Sequence, residues 1–348
     1  ILCIVHFTLY KTLVNYTHFF QKHSSVTFWI LAALSFSFTV GNLLIQLYPS
    51  KAASLFYHAS SIWLGTLFFL FCAVIIISVF GIFRYNGDSF KMFASILLSL
   101  AVAVSIYGVF NQKNTRIVER DVYIKDLPQE WEGRRAGFFA DSHYGPIHNL
   151  KDAQHLVNIF NSKSIDIVFM GGDFYDGPPT DFIAVGKVFS NLQPKYGKYF
   201  VTGNHEEYAG IEDALLGVKA GGFIVTDRTS TMLDGVQIIG IPYVRGEDET
   251  EIEDVLEKTG YNKELPSIVL KHVPLELEVL QKAKASLVLS GHTHQGQIWP
   301  FSYITKRMYK GFDYGLHPLG DMQVYTTSGS GTWGPPQRIG TQSEVVIL

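Results

Sequence analysis

The sequence predicts two parts: N-terminal α-helical transmembrane segments, followed by an α/β domain. Two observations lead to this fold class. Long uncharged apolar segments fill the first third of the chain, and after about residue 116 short apolar runs alternate with amphipathic stretches. A length of 348 residues also suits about two domains. We therefore assign residues 1–115 to a transmembrane helical region and residues 116–348 to the α/β domain.

Three apolar segments have the length of membrane-spanning helices: residues 27–48, 62–83 and 92–110. Each is close to the roughly 20 residues that a helix needs to cross the hydrocarbon core, and Trp, Tyr, Lys and Arg flank them. Residues 1–10 resemble the end of a fourth span, and because the chain opens inside this run we expect further residues to precede it. The alternative, buried helices of a soluble protein, would require polar faces that these segments lack.

Charged residues are unevenly distributed between the two parts. Residues 1–115 hold six of the 28 Lys and Arg residues and one of the 31 Asp and Glu residues, so the remainder is acidic. Non-specific nucleic-acid binding needs a basic surface, and we therefore expect no nucleic-acid partner.

The basic residues also predict an orientation in the membrane. If the partial first span is real, four lie on one side (Lys11, Lys22, Arg84, Lys91) and five lie on the side of the α/β domain (Lys51, Lys113, Arg116, Arg120, Lys125). Positive charge favours the cytoplasmic side of a membrane. The count of five against four therefore predicts a multi-pass membrane protein with a cytoplasmic domain.

From residue 116 onward, strand and helix patterns alternate. The predicted strands are 135–140, 165–170, 198–203, 236–241, 267–272 and 285–290. The predicted helices are 149–163, 181–192, 211–220 and 275–284. This alternation is typical of α/β domains, in which the functional site lies beyond the carboxyl ends of the strands.

Nearly every predicted strand ends in a residue type that binds metal ions. The residues at these ends are Asp141 and His143, Asp173 with Asp176 close by, Asn204 and His205, His272, and His292 and His294. Taken alone, Asp-x-His is usually a surface loop, Gly-Asn-His a turn, and Gly-His-x-His a single zinc site. Five such motifs in order, each after an apolar run, predict a larger metal site.

The residue types suit a pair of divalent metal ions. Asp173 offers a carboxylate that can bridge two ions, and mixed imidazole and oxygen ligands suit Mn, Fe or Zn, with Mn favoured. Two ions about 3.5–4 Å apart can bind a phosphoryl group and lower the pKa of a bridging water. A structural zinc site fits less well, because such sites favour four Cys or His ligands.

Gly172, Gly203 and Gly291 each lie one residue before a candidate ligand. We expect them to allow sharp turns from a strand into a loop, because glycine adopts backbone conformations that other residues avoid.

The motifs DSH, GDFYD, GNH, KHVP and GHTH, in this order, resemble the pattern of the calcineurin-like metallophosphoesterase superfamily. The resemblance covers residues 116–348, and every ligand type of the family pattern is present. It implies a four-layer αββα sandwich. The preceding spans resemble the transmembrane, multi-span branch of the superfamily, and the C-terminal tail resembles a branch in which some members act on lipid-linked substrates.

The resemblance also implies roles for the matched residues. It would place Asp141, His143, Asp173 and His294 at the first metal ion, and Asp173, Asn204, His272 and His292 at the second. His205 matches the position that protonates the leaving group or stabilises the phosphoryl oxygens. Arg338, in the tail motif Pro-x-Arg, matches a position that contacts the substrate phosphate.

The predicted function is a membrane-anchored phosphoesterase that uses two divalent metal ions and a metal-activated water to hydrolyse a phosphoester or pyrophosphate bond. A lipid-linked phosphoester is one candidate substrate, and the oligomeric state is left open. The alternative is a non-catalytic membrane receptor or sensor, but a vestigial site would be expected to have lost ligands. The stretch 303–312, which mixes Lys and Arg with aromatic residues, is interpreted as a lipid-headgroup contact or as a solvated basic loop.

Overall fold

A computed structural model describes residues 1–82, 87–244 and 249–348. The chain forms two compact units. The first comprises residues 1–113 together with 334–339, and the second comprises residues 114–333 together with 340–348. The second unit therefore begins close to the predicted start of the α/β domain at residue 116, while a short C-terminal segment belongs to the first unit.

The first unit is helical. Its helices are α1 (Leu2–Tyr16), α2 (His18–Lys22), α3 (Ser24–Leu47), α4 (Lys51–Ile82) and α5 (Asp88–Asn111). Within the described residues, α3, α4 and α5 are the three helices long and apolar enough to cross a membrane. At 1.5 Å per residue, the 24 residues of α3 and of α5 measure about 36 Å, which exceeds the roughly 30 Å hydrocarbon core.

These three helices fall on the three predicted spans. Residue Phe83, at the end of the predicted second span, lies outside the described residues. Helix α4 begins at Lys51, well before the predicted start at residue 62, because residues 51–61 contain neither Gly nor Pro and continue the helix without a break. The predicted partial span at residues 1–10 forms most of α1, a helix of 15 residues.

The segment Gly334–Ile339 packs within the helical unit, against α4 and α5. Gln337 Nε2 donates a hydrogen bond to Ser105 Oγ at 2.7 Å, and the Gly108 carbonyl accepts from the backbone N–H of Arg338 at 3.1 Å. A Cβ atom on Gly65 would lie 1.9 Å from Gln337 Oε1, and one on Gly108 would lie 2.8 Å from a side-chain carbon of Ile339. Both glycines therefore leave the space that this segment fills.

The second unit contains twelve described strands. They are β1 (Arg116–Glu119), β2 (Ala136–Phe139), β3 (Ile167–Met170), β4 (Lys198–Phe200), β5 (Ile224–Val225), β6 (Ser230–Leu233), β7 (Val236–Ile241), β8 (Ser267–Lys271), β9 (Leu287–Ser290), β10 (Gly315–Leu319), β11 (Met322–Thr326) and β12 (Glu344–Ile347). They form two six-stranded sheets, with the orders β1-β12-β2-β3-β4-β5 and β10-β11-β9-β8-β7-β6.

Helices cover the outer faces of both sheets. The helices of this unit are α6 (Leu150–Asn161), α7 (Phe182–Phe189), α8 (Asn204–Ala209), α9 (Ile211–Ala220), α10 (Glu249–Lys258), α11 (Leu277–Lys282) and α12 (Phe301–Met308). Helices α6, α7 and α9 share a buried apolar core with the first sheet, and α10 and α11 share another with the second.

Side chains alternate between the two faces of each strand, as the period of a strand requires. In β2, Phe138 points into the core between the two sheets, whereas Phe139 packs under the helices. Phe138 is in register with Phe169 of β3, which is in register with Tyr199 of β4. The resulting order of helices, sheet, sheet and helices confirms the predicted fold class.

The central strands of each sheet are parallel, and this places their carboxyl ends at a common edge. Strands β2, β3 and β4 run parallel in the first sheet, and β7, β8 and β9 run parallel in the second. The loops that leave these ends carry the motifs singled out in the sequence, and they converge at one site.

Candidate metal centre

The seven candidate ligands all lie in loops or helix starts that follow a strand. Asp141 and His143 follow β2, Asp173 follows β3, Asn204 opens α8 after β4, His272 follows β8, and His292 and His294 follow β9. Six of the seven are buried, and His292 is half-buried. The structure thus gathers in a largely dry environment the polar side chains that the sequence places far apart.

The first cluster consists of Asp141, His143 and His294, each of which offers a ligand atom within 4.8 Å of the other two. His143 Nε2 lies 3.0 Å from His294 Nε2, and His294 Nε2 lies 3.7 Å from Asp141 Oδ1. Two imidazoles and one carboxylate thus face a common point, which is a donor set that suits a first-row divalent ion.

The second cluster consists of Asp173, His272 and His292, again within 4.8 Å of one another. His272 Nε2 lies 3.2 Å from Asp173 Oδ2, and His292 Nδ1 lies 3.3 Å from His272 Nε2. Asp173 Oδ2 also lies 3.8 Å from His143 Nε2 of the first cluster. The carboxylate of Asp173 therefore stands between the two clusters.

Five of the seven candidate ligands have a left-handed backbone conformation. The φ angles are 55° at Asp141, 48° at His143, 55° at Asp173, 69° at His292 and 48° at His294. Non-glycine residues seldom adopt positive φ, because Cβ then crowds the backbone, and such residues concentrate at functional sites. The surrounding fold therefore holds these side chains in place against a local conformational cost.

The glycines beside the ligands fulfil a role that differs in part from the predicted one. Gly172 has a φ of 91°, as a sharp turn requires, but Gly203 has a φ of −104°, which any residue can adopt. A Cβ atom on Gly203 would lie 2.3 Å from Asp173 Oδ1, and one on Gly291 would lie 2.4 Å from Asp141 Oδ2. At these two positions glycine is needed for space.

The electrostatics of the site favour bound cations. Burial opposes protonation of His272, but the charges of Asp173 and Asp141 more than offset it and raise the pKa of His272 to about 10. Burial, together with the nearby His205, holds the pKa of His143 well below its usual range. Burial and the charge of His272 lower the pKa of His292 to about 4. His143 and His292 therefore favour the neutral form that binds metal ions, whereas the carboxylates beside His272 attract positive charge to the site.

Several polar atoms support a fit to metal ions. Asn204 Oδ1 is buried without a hydrogen-bond partner among the described residues, a state that is costly unless a ligand such as a metal ion satisfies it. The Nδ1 atom of His272 donates to the Gly171 carbonyl at 2.7 Å, and this bond directs Nε2 toward Asp173 and His292, where a metal ligand would be needed. The ligand atoms, together with the hydrogen bonds that orient them, thus fit divalent metal ions.

His205 lies at the rim of both clusters. Its ring centroid is 4.4 Å from that of His143, and it forms a third group with His143 and Asp173 within 4.8 Å. The Nδ1 atom lies 3.0 Å from the Asp176 carbonyl and donates to it. The Nε2 atom of the neutral ring is then an acceptor, and the protonated ring can donate a proton from this atom.

Sequence reasoning missed Glu206, which is fully buried behind the site. Its carboxylate accepts hydrogen bonds from the backbone N–H groups of Gly203 at 2.7 Å, Phe174 at 2.9 Å, Asp173 at 3.0 Å and Tyr175 at 3.4 Å. It therefore ties the loop that carries Asp173 to the loop that carries Asn204. Burial and the charge of Asp173 raise the pKa of Glu206 to about 7.

We expect the substitution Glu206→Ala to weaken metal binding by roughly 10–100-fold, the usual effect of losing a side chain that orients ligands. It should also lower the melting temperature, because each buried N–H left without an acceptor costs about 1–3 kcal/mol. The measurements are Mn²⁺ titration and thermal unfolding of the full chain. Glu207→Ala, at the exposed neighbouring glutamate, is the matched control. If the Glu206→Ala variant bound Mn²⁺ with wild-type affinity, the proposed role of Glu206 in holding the two ligand loops would be wrong.

The remaining predicted site residue, Arg338, belongs to the helical unit. It is fully buried, and its backbone carbonyl accepts a hydrogen bond from Asn111 Nδ2 at 2.9 Å. Its predicted contact with the substrate phosphate stays a prediction.

Comparisons with known proteins agree with this geometry. The family model described as calcineurin-like phosphoesterase matches residues 134–296, a range that includes all seven candidate ligands. An uncharacterized metallophosphoesterase of Campylobacter jejuni is 32% identical over 270 residues, which cover 76% of this chain and 71% of that protein. The chain belongs to the calcineurin-like metallophosphoesterase family. This family consists of hydrolases that act on phosphoester bonds, and it implies divalent metal ions at the site.

Other proteins are also similar in sequence to this metallophosphoesterase. An uncharacterized metallophosphoesterase of Helicobacter pylori strain J99 is 31% identical over 67% of this chain, and the chain spans 63% of that protein's length. A transmembrane protein with metallophosphoesterase domain from Danio rerio is 28% identical over 75% of this chain and 63% of that protein. Together with α3, α4 and α5, the transmembrane relatives indicate a membrane protein.

The solved structure of TT1561 of Thermus thermophilus is similar at 13% sequence identity and a TM-score of 0.41. The match covers 57% of this chain and 91% of that one.

Proposed function

We propose that this metallophosphoesterase is a membrane-anchored enzyme that hydrolyses a phosphoester or pyrophosphate bond with two divalent metal ions. The observation that carries the proposal is the place of Asp173, whose Oδ2 lies 3.2 Å from His272 Nε2 and 3.8 Å from His143 Nε2. One carboxylate is thereby shared by two clusters, as a pair of neighbouring ions requires.

The ligand assignment follows the two clusters. Asp141, His143, Asp173 and His294 would hold the first ion, and Asp173, Asn204, His272 and His292 the second. When bound, such ions supply Lewis acidity that activates a water and stabilises the negative oxygens of the phosphoryl group. We favour Mn²⁺, Fe²⁺ or Zn²⁺, and Mn²⁺ among them, since the donors are imidazole, carboxylate and amide oxygen.

His205 is the proposed acid. Its Nδ1 proton is donated to the Asp176 carbonyl, which fixes the ring so that Nε2 is directed elsewhere. A protonated Nε2 would donate to the leaving-group oxygen or to a phosphoryl oxygen. The alternative is a non-catalytic membrane receptor or sensor, and against it stands the complete set of seven candidate ligands together with His205, since a vestigial site would be expected to lose some of them.

We further propose a multi-pass topology in which α3, α4 and α5 cross the bilayer, with the phosphoesterase domain on the cytoplasmic side. The substrate proposed for this arrangement is a phosphoester or pyrophosphate whose apolar part lies in the membrane. Residues 112–115 connect α5 to β1, and four extended residues reach about 14 Å, so the domain stays near the membrane surface.

The test uses the full chain in lipid nanodiscs, loaded with Mn²⁺. We expect about two ions per chain by elemental analysis and hydrolysis of bis-p-nitrophenyl phosphate that a chelator abolishes and Mn²⁺ restores. An active preparation with a single ion per chain would overturn the two-ion proposal. A fully loaded preparation that hydrolyses neither this ester nor a panel of lipid phosphates and pyrophosphates would overturn the proposal of an enzyme.

A further inference from the structure

Helix α12 carries an apolar face that is exposed in the described part of the chain. Phe301, Ile304 and Met308 follow one another at i, i+3 and i+7, so they share one face of the helix. Their exposed fractions are 40%, 54% and 60%. An exposed apolar stripe on a short helix is typical of surfaces that bind something apolar.

Aromatic and basic side chains surround this stripe. Trp299 precedes the helix with 56% of its surface exposed, and Tyr303 is 68% exposed. Lys306 and Arg307 are exposed near the end of the helix and form no ion pair with any residue in the described part of the chain. Trp and Tyr beside exposed Lys and Arg are typical of helices that lie in the interface of an anionic membrane.

The helix is also tied to the metal centre. Thr305 Oγ1 donates to Asp313 Oδ2 at 3.2 Å, and Thr293 Oγ1, between His292 and His294, donates to the Asp313 carbonyl at 2.6 Å. The ring of Tyr309, directly after the helix, lies 6.2 Å from the ring of His292. Whatever binds α12 therefore lies close to the loop that supplies two candidate ligands.

We propose that α12, together with Trp299, lies in the interface of the bilayer that holds the transmembrane helices and binds anionic lipid headgroups. The short linker of residues 112–115 keeps the domain within reach of that bilayer, and the exposed charges of Lys306 and Arg307 complement a negative surface. The placement rests on the proposed membrane anchoring and is independent of the proposed hydrolysis. It brings a substrate embedded in the membrane next to the metal centre.

A protein partner would also cover apolar side chains, but it would not require the combination of an apolar stripe with flanking aromatic residues and cations. Trp299 lies at the start of the stripe, and the exposed cations Lys306 and Arg307 lie near its end. Insertion into the headgroup layer satisfies both at once, because the apolar side chains reach the acyl boundary while the cations stay at the level of the phosphates.

The experiment measures membrane depth directly in the full chain. Cys3 and Cys72 are replaced by Ser, and a single cysteine, introduced by Ile304→Cys, is labelled with the environment-sensitive dye NBD. In nanodiscs that contain brominated phosphatidylglycerol we expect strong quenching and a blue-shifted emission. The matched control is Leu216→Cys on α9, with a similar exposed fraction of 57% in the same unit. Quenching at position 304 no greater than at position 216 would overturn the placement.

A second arm tests the anionic lipid. We expect quenching at position 304 to fall at least several-fold in brominated phosphatidylcholine discs, at high salt, and in the double variant K306E/R307E. Equal quenching under all these conditions would overturn the proposed role of anionic headgroups. Hydrolysis of bis-p-nitrophenyl phosphate by the same samples reports on the metal centre separately. Failure of the proposed hydrolysis can therefore be distinguished from failure of the proposed membrane contact.

Discussion

The substitution Asp173→Asn should abolish most of the hydrolysis, by roughly 10³-fold or more, and should reduce the metal content of the protein. The carboxylate stands between the two clusters, and an amide has neither the charge nor the second oxygen to serve both. Metal ions contribute several kcal/mol to the stabilisation of a transition state, and each 1.36 kcal/mol is tenfold in rate. The measurements are elemental analysis of purified full-length protein and the rate of bis-p-nitrophenyl phosphate hydrolysis in excess Mn²⁺.

Asp181→Asn is the matched control for this change. Asp181 is exposed and caps α7, its side chain accepting from the backbone N–H of Ala184 at 2.9 Å. Asparagine caps helices as well as aspartate, so this variant should keep its metal content and rate. If Asp173→Asn also kept two ions and full activity, the bridging role of this carboxylate would be wrong.

The substitution His205→Ala should lower kcat by roughly 10²–10⁴-fold, the range for a positioned acid or base, while the metal content stays unchanged. The reason is that His205 lies beside both clusters but is absent from the proposed ligand set. A substrate with a poor leaving group should lose more rate than a nitrophenyl ester, because a good leaving group departs without a proton.

His155→Ala, at an exposed histidine of α6, is the control and should behave as wild type. Equal losses for both kinds of ester would assign His205 to stabilising the phosphoryl oxygens, since protonation of the leaving group would then contribute nothing. Loss of one ion in His205→Ala would instead make the residue a ligand, as its grouping with His143 and Asp173 also allows by distance.

Much of the fold and of the candidate site could be predicted, because the relevant signals are local. The apolar run before each motif forms a strand in the structure, and side chains placed at carboxyl ends of parallel strands must meet at one edge. This rule brings Asp141 and Asp173 together at the edge of the first sheet, whereas His272 follows β8 of the second sheet and reaches them because the two sheets pack against each other.

What the sequence did not reveal depends on contacts between distant residues. The strand β12, at the very end of the chain, pairs with β1 in the register Ile117↔Val345, across more than two hundred residues. Glu206 and Glu207 are adjacent glutamates, and in the folded chain Glu206 is buried while Glu207 is exposed. The one local signal was an acid at the third position of α8 after a glycine cap, which is the position of a capping box.

The conformation of residues 303–312 could not be predicted from the sequence for a different reason. Its Lys, Arg and aromatic residues suggested a lipid contact or a solvated loop, but residues 301–308 form α12. The helix was missed because Pro300 and the short length hide its period, although proline is common at a helix start. The composition was informative, whereas the conformation required the surrounding structure.

The grouping of Gly334–Ile339 with the helical unit has a consequence for separating the parts of this protein. The chain leaves the helical unit, returns to it for six residues and leaves it again, so three covalent connections join the two units. Proteolysis at residues 112–115 would cut a single connection, and the fragments would copurify as long as Gln337 and Arg338 keep their bonds to α5. A domain expressed from residue 114 alone would carry a segment whose partners, Ser105 and Gly108, are missing.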